Sequence, residues 1–151
     1  MSDVGFRIFR KRVAPACWKE GMDREELKRR TKGFALRIVR FVNTMPKDGV
    51  ARILGNQLLR AGTSVGANYR SACRARSRAD FISKIGVVEE EADETLYWLE
   101  VITEAGIVKS DGVSQLMAEA DELVAIFTAT GRSAKASGRS TNPKSEIRNP
   151  K

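Results

Sequence analysis

The chain has 151 residues, 42% hydrophobic and 30% charged, which is enough apolar material for one domain with a real core. It carries 27 Lys and Arg against 19 Asp and Glu, a net charge of +8, and it contains no histidine. That composition excludes every His-containing triad, and with it the commonest general base and the commonest metal ligand.

No continuous run of about 18 apolar residues is present, so no membrane span is expected. The N-terminal stretch MSDVGFRIFRKRVAPACWKEG lacks the unbroken apolar core of a signal peptide, and a cytoplasmic location is expected. Cys17 and Cys73 are too few for a disulfide framework and read as ordinary thiols. CxxC, P-loop, GxGxxG and GxSxG patterns are all missing. The chain is therefore not expected to be an enzyme or to hold a cofactor.

Residues 1–21 show no sustained period and read as a poorly ordered extension. Asp23 and Glu26 then have capping-box spacing, and Leu27, Thr31, Phe34, Ile38, Phe41 and Met45 form a helical stripe that stops at Pro46. A second helix is expected from about Asp48 to Arg76, with Ala51, Leu54, Leu58, Ala61, Val65, Asn68, Ala72 and Ala75 on one face. Gly55, Gly62 and Gly66 lie inside it at about 1 kcal/mol each relative to alanine, which implies close packing against a neighbouring helix. In that string Thr63, Ser64 and Asn68 are placed to hydrogen-bond across the contact, so Gly62, Ser64, Gly66 and Asn68 are read as packing and register residues. A phosphate-binding loop is rejected there, because the stripe runs straight through and no GK[ST] follows.

Ser77 and Asp80 mark a third helix, with Phe81, Ile85, Val88, Ala92, Thr95, Leu99 and Ile102 repeating over three heptads to an end near Gly106. Ser110 and Asp111 are expected to cap a fourth, carrying Val113, Leu116, Ala120, Leu123, Phe127 and Thr130, with Met117 and Val124 widening the face and an end at or just beyond Gly131. The polar remainder, residues 136–151, begins to repeat Asn-Pro-Lys and is expected to be disordered. Four amphipathic helices with short connections predict an all-α, antiparallel up-down-up-down four-helix bundle over residues 22–135. A one-residue turn near Ser77 would set Arg60 level with Glu94 and pair them.

Charge is distributed unevenly. Residues 1–84 carry a net +13, residues 85–131 carry −10 and residues 132–151 carry +5. In such a bundle the start of the first helix, the second-to-third connection, the end of the fourth helix and both tails share one end, for a net +14 against −6 elsewhere. Arg70, Arg74 and Arg78 recur every four residues, as along one helix face, with Arg76 beside them and Lys28, Arg29 and Lys32 on the first helix. Multiple cations on one surface suit phosphate contacts with counterion release. A solvated face with inter-subunit ion pairs suits the same pattern, and nothing marks base-specific readout. Glu89, Glu90, Glu91, Asp93 and Glu94 read as an ion-pairing and solvated face, since a bundle-core metal site commonly adds histidine. Leu36 and Val39, off the main stripe, fit a subunit interface or a thickened core. Tyr97 and Trp98 read as packing residues before base-stacking platforms.

The string from Gly55 to Arg70, GNQLLRAGTSVGANYR, with Ala75 to Phe81, Glu91 to Glu100 and Thr31 to Arg37, resembles the four-helix bundle family of proteins encoded in 23S rRNA intervening sequences. The resemblance covers about residues 22–127. That family is similar in turn to the accessory protein of diversity-generating retroelements, a pentamer that partners a reverse transcriptase and binds nucleic acid. The resemblance thus implies a homopentamer and a role on RNA or DNA, as part of a ribonucleoprotein or beside a reverse transcriptase. The expected function is a non-enzymatic homo-oligomer that binds nucleic acid through its basic end. The alternative is a structural or adaptor oligomer for an acidic protein partner.

Overall fold

Asp23 opens the first helix as the composition of its neighbours requires: its Oδ1 accepts the Glu26 N–H at 2.7 Å and satisfies a donor that has no partner inside the helix. A computed structural model describes residues 23–139. It contains α1 (Arg24–Thr44), α2 (Gly49–Ala72), α3 (Arg78–Glu104), a 3-10 turn (Ser110–Gly112) and α4 (Ser114–Arg139), with no strand among the described residues. The N-terminal extension, residues 1–21, and the tail beyond residue 139 lie outside the described residues.

The periodic stripes become the core. All seven stripe residues of α3 are buried, as are Val113, Leu116, Ala120, Leu123, Phe127 and Thr130 of the last helix segment. On α1, Leu27, Thr31, Phe34, Ile38 and Met45 are buried and Phe41 is half-buried. Buried Thr31, Thr95 and Thr130 each turn their hydroxyl back onto the carbonyl four residues earlier, so no polar atom is left without a partner there. The stripe on α2 omits Tyr69, which is 1% exposed and meets Phe127 with ring centroids 5.4 Å apart.

Inter-helix contacts run in opposite senses along consecutive helices, as in an up-down-up-down bundle. Gly66, Gly62 and Gly55 of α2 face Thr31, Ile38 and Val42 of α1 in that order. Ile85 lies against Gly131, and Glu89 accepts from Thr128 Oγ1 at 2.6 Å. Close approach at the glycines is real: a Cβ on Gly62 would fall 2.9 Å from two carbons of Ile38, and one on Gly66 would fall 3.3 Å from the Thr31 backbone. The neighbouring polar residues do not bridge this contact. Thr63, Ser64 and Asn68 instead donate to Leu59, Arg60 and Ser64 carbonyls within α2 itself, and Asn68 is only half-buried. Hydroxyl and amide groups reach the preceding turn more readily than a neighbour across a small-residue seam.

Three boundaries differ from those read in the sequence. The second helix ends at Ala72, not Arg76, because the Arg74 and Ala75 N–H groups donate to carbonyls only three residues back and Ser77 is extended. Ala75 remains 2% exposed, which is why the apolar stripe runs on past the end of the helix. Ser77 then caps α3, accepting the Asp80 N–H at 3.1 Å. Ser110 and Asp111 form a separate turn, and α4 starts at Ser114, with the Met117 N–H on the Val113 carbonyl. That helix continues through Gly131 to Arg139, into the segment assigned to the tail. Glycine weakens a helix by only about 1 kcal/mol, and Gly131 is buried against Ile85. Gly106 does stop α3: its φ is +70°, and the Gly106 and Ile107 N–H groups donate to Thr103 and Ile102 in a Schellman motif.

The two hairpins are not parallel stacks. Arg30 Nε and one terminal nitrogen grip both oxygens of Glu119 at 2.7 and 2.9 Å, and the guanidinium also reaches Glu122 at 2.9 Å. The register set by the other inter-helix contacts would place Arg30 beside the Ser133 turn, roughly 15–20 Å further along α4 at 1.5 Å per residue. Tyr69 is displaced toward Phe127 in the same direction. The α1–α2 hairpin therefore leans across α3–α4, and α1 and α4 touch sparingly.

Candidate nucleic-acid interface

Gly66 touches Thr31, so one further turn in opposite directions brings Arg70 level with Leu27 and Lys28. Arg24, Lys28 and Lys32, four residues apart, form a row on α1 that runs beside this point. The five-residue connection from α2 to α3 then adds Arg74 and Arg76. The predicted cations thus meet at one end, but not on one helix face: Arg70 closes α2, Arg74 and Arg76 lie in the connection, and Arg78 begins α3.

These cations differ in availability. Lys32, Arg70, Arg74 and Arg76 are exposed, with no ion pair within 4 Å among the described residues. Lys28 pairs with Glu25 at 2.9 Å, and Arg29 pairs with Glu26, both at the helix surface. Arg78 is half-buried and packs against the end of α4, where a Cβ on Gly138 would fall 2.9 Å from its Nη1. Its Nε is buried without a hydrogen-bond partner. Arg78 therefore holds α4 to α3 and does not belong to the exposed surface. Among the described residues Asp80 is the carboxylate beside the α2–α3 connection. It accepts the Arg76 N–H at 3.0 Å and Lys84 Nζ at 3.2 Å, and these donors hold its carboxyl below the usual carboxylate range.

Residues 23–32, 70–84 and 132–139 together hold thirteen Lys and Arg and four Asp and Glu, so this end is cationic even without either tail. The lean of the hairpins reduces the polarity foreseen along the axis, because Glu119 and Glu122 come from the opposite end of α4 to neutralise Arg30. Their grip pushes the Arg30 guanidinium pKa further up, chiefly through the Glu119 hydrogen bond.

Arg60 does not pair with Glu94. The longer connection shifts α3 along α2, so Arg60 acts on Glu91. Burial and the nearby Glu94 raise the Glu91 carboxyl, and Arg60 pulls it back down. Glu94 instead accepts Trp98 Nε1 at 3.0 Å. Trp98 packs on the core edge-to-face with Tyr97, which is itself 54% exposed. Among the described residues no group of acidic or cysteine side chains is arranged to hold a metal ion. On the outer face of α1, Leu36 is 46% exposed and Val39 is half-buried.

An open cleft of about 320 Å³ lies where α1 begins, lined by Arg24, Glu25, Lys28 and Cys73. Sequence reasoning singled out neither Arg24 nor Cys73 as a site residue. The four-residue spacing of Arg24, Lys28 and Lys32 was the available signal for the first, and the partner loop was visible only after folding. No helix among the described residues is long and apolar enough to cross a membrane.

Fold and surface together define a small helical-bundle protein with a cationic end. The family model described as 23S rRNA-intervening sequence protein matches residues 24–129, and the chain belongs to that family. It is similar to a solved crystal structure of a protein of unknown function from the S23 ribosomal protein family of Bacteroides thetaiotaomicron. Identity is 34%, the match covers 68% of this chain and 94% of that one, and the TM-score is 0.62. Among curated proteins none matches.

Proposed function

We propose that the protein is a non-enzymatic, cytoplasmic homo-oligomer that binds the phosphate backbone of RNA or DNA through Lys32, Arg70, Arg74 and Arg76, with Lys28 and Arg29 at the rim. The supporting observation is the meeting of the α1 row with the α2–α3 connection, where four exposed cations have no carboxylate of the described residues within ion-pair distance. A ribonucleoprotein component or an accessory of a reverse transcriptase is the role this reading favours, and a pentamer is the assembly it favours. Affinity should be governed by counterion release and be weakly selective for sequence. Fluorescence anisotropy with single-stranded RNA across a salt series should give a linear decline of log K, with a slope of roughly −0.7 per phosphate contact. Absence of binding at low salt would defeat the reading and turn attention to an acidic protein as the ligand.

Exposed Leu36 beside Val39 supports self-association through the outer face of α1. Multi-angle light scattering should give a multiple of the 16.7 kDa chain mass. Leu36→Glu with Val39→Lys should lower that mass with helicity unchanged. A parent protein that stays monomeric at micromolar concentration contradicts this part of the proposal.

A further inference from the structure

Among the described residues, the cleft at the start of α1 is lined by two cations, one carboxylate and a thiol. Arg24 is half-buried, with no ion pair to a described residue, and Lys28 lies one turn along the same helix. The first-turn N–H groups of α1 lie at this end, of which Asp23 caps only that of Glu26. Cys73 also lines the cleft, and its thiol neighbours the Tyr69 hydroxyl. Burial, then the adjacent Cys73, pushes the Tyr69 phenol far above its ordinary range, so it remains a donor. Among the described residues the lining holds one carboxylate, Glu25, which Lys28 engages. Arg24, the Lys28–Glu25 pair, the Asp23-capped N-terminus of α1 and the Cys73 thiol therefore border an open cleft of about 320 Å³, the lower end of the range for small-molecule sites.

We infer that this cleft binds a phosphate monoester, and that on nucleic acid it takes the terminal phosphate of a strand whose backbone runs over Arg70 and Arg74. The inference rests on the nucleic-acid reading for its second half only. A terminal phosphate carries more charge than a backbone diester and exposes three oxygens, which a diester cannot present to converging donors. Cys73 sits at the junction between the cleft and the arginine-bearing connection, so a strand end held in the cleft leaves toward Arg74.

The test compares one short single-stranded RNA carrying a 5′-phosphate, a 3′-phosphate or hydroxyls at both ends, bound to the full-length protein at fixed salt. One phosphorylated form should bind about ten-fold tighter than the hydroxyl form, the scale of charge-assisted hydrogen bonds to a dianion. Arg24→Gln with Lys28→Gln should collapse that ratio to near one, the phosphorylated form losing about ten-fold more affinity than the hydroxyl form. The hydroxyl form should fall only modestly, through the loss of Lys28 at the rim, and far-UV circular dichroism should match the parent. Independently, inorganic phosphate should slow carboxymethylation of Cys73 by iodoacetate, read by peptide mass spectrometry with Cys17 as the internal reference. Equal affinities for all three RNAs, with Cys73 unprotected by phosphate, would overturn the inference and leave backbone binding untouched. Protection of Cys73 in a protein that binds none of the RNAs would retain the phosphate site and instead remove the nucleic-acid reading.

Discussion

Replacing Arg70, Arg74 and Arg76 together with glutamate is expected to weaken RNA binding by about two orders of magnitude near physiological salt, without changing the fold. All three side chains are exposed and make no ion pair with the described residues, so their reversal breaks no ion pair among those residues. For every phosphate the variant no longer neutralises, the plot of log K against log salt should flatten by roughly 0.7–0.9, so three such phosphates should flatten it by about 2–3. The weakening should be uniform across sequences, because backbone contacts carry no base information. Arg78 is kept out of this variant. Its guanidinium is packed against the end of α4, and reversing it would confound binding with stability. Anisotropy titrations at several salt concentrations, on protein of unchanged mass and melting temperature, provide the check. Unaltered affinity would remove these residues from the interface.

Gly62→Ala should destabilise the bundle, although alanine is the better helix former. The new methyl would sit 2.9 Å from two carbons of Ile38, a side chain that is itself fully buried and has nowhere to move. Overpacking of this kind costs about 1–3 kcal/mol, against a gain of about 1 kcal/mol in helix propensity. Gly33 is the internal control. It lies within α1 with nothing within 4 Å of its would-be Cβ, so Gly33→Ala should stabilise by up to about 1 kcal/mol. The melting temperature should shift by roughly 4 °C per kcal/mol, downward for Gly62 and upward for Gly33. A rise for both would mean that α1 and α2 are not in the tight contact described.

Helix number, helix faces and most of the core were legible in the chain because a 3.6-residue period demands a repeated apolar stripe. Phe81, Ile85, Val88, Ala92, Thr95, Leu99 and Ile102 are all buried as that rule requires. Local capping was equally legible: Asp23 and Gly106 act on groups within a few residues, and their chemistry needs no partner from elsewhere. Tyr69 was missed because Asn68 occupies the nominal heptad position, and a straight stripe cannot show which of two adjacent residues turns inward. The glycines announced a close approach, but not that Ile38 and Thr31 lie opposite.

By itself, the sequence determined that this protein is an all-helical bundle with its positive charge concentrated around the α1 start and the α2–α3 connection. Periodicity and local hydrogen bonding act over one or two turns and are written in consecutive residues. Tertiary structure alone decided the register and the lean of the two hairpins. Those depend on how side chains of separate helices interlock, and a connection lengthened by a few residues slides every pairing beyond it. That is why Arg60 acts on Glu91 rather than Glu94, and why Arg30 meets Glu119 and Glu122. For the same reason Arg78 leaves the arginine cluster for the end of α4, while Arg24 and Cys73, far apart in the chain, come to line one cleft.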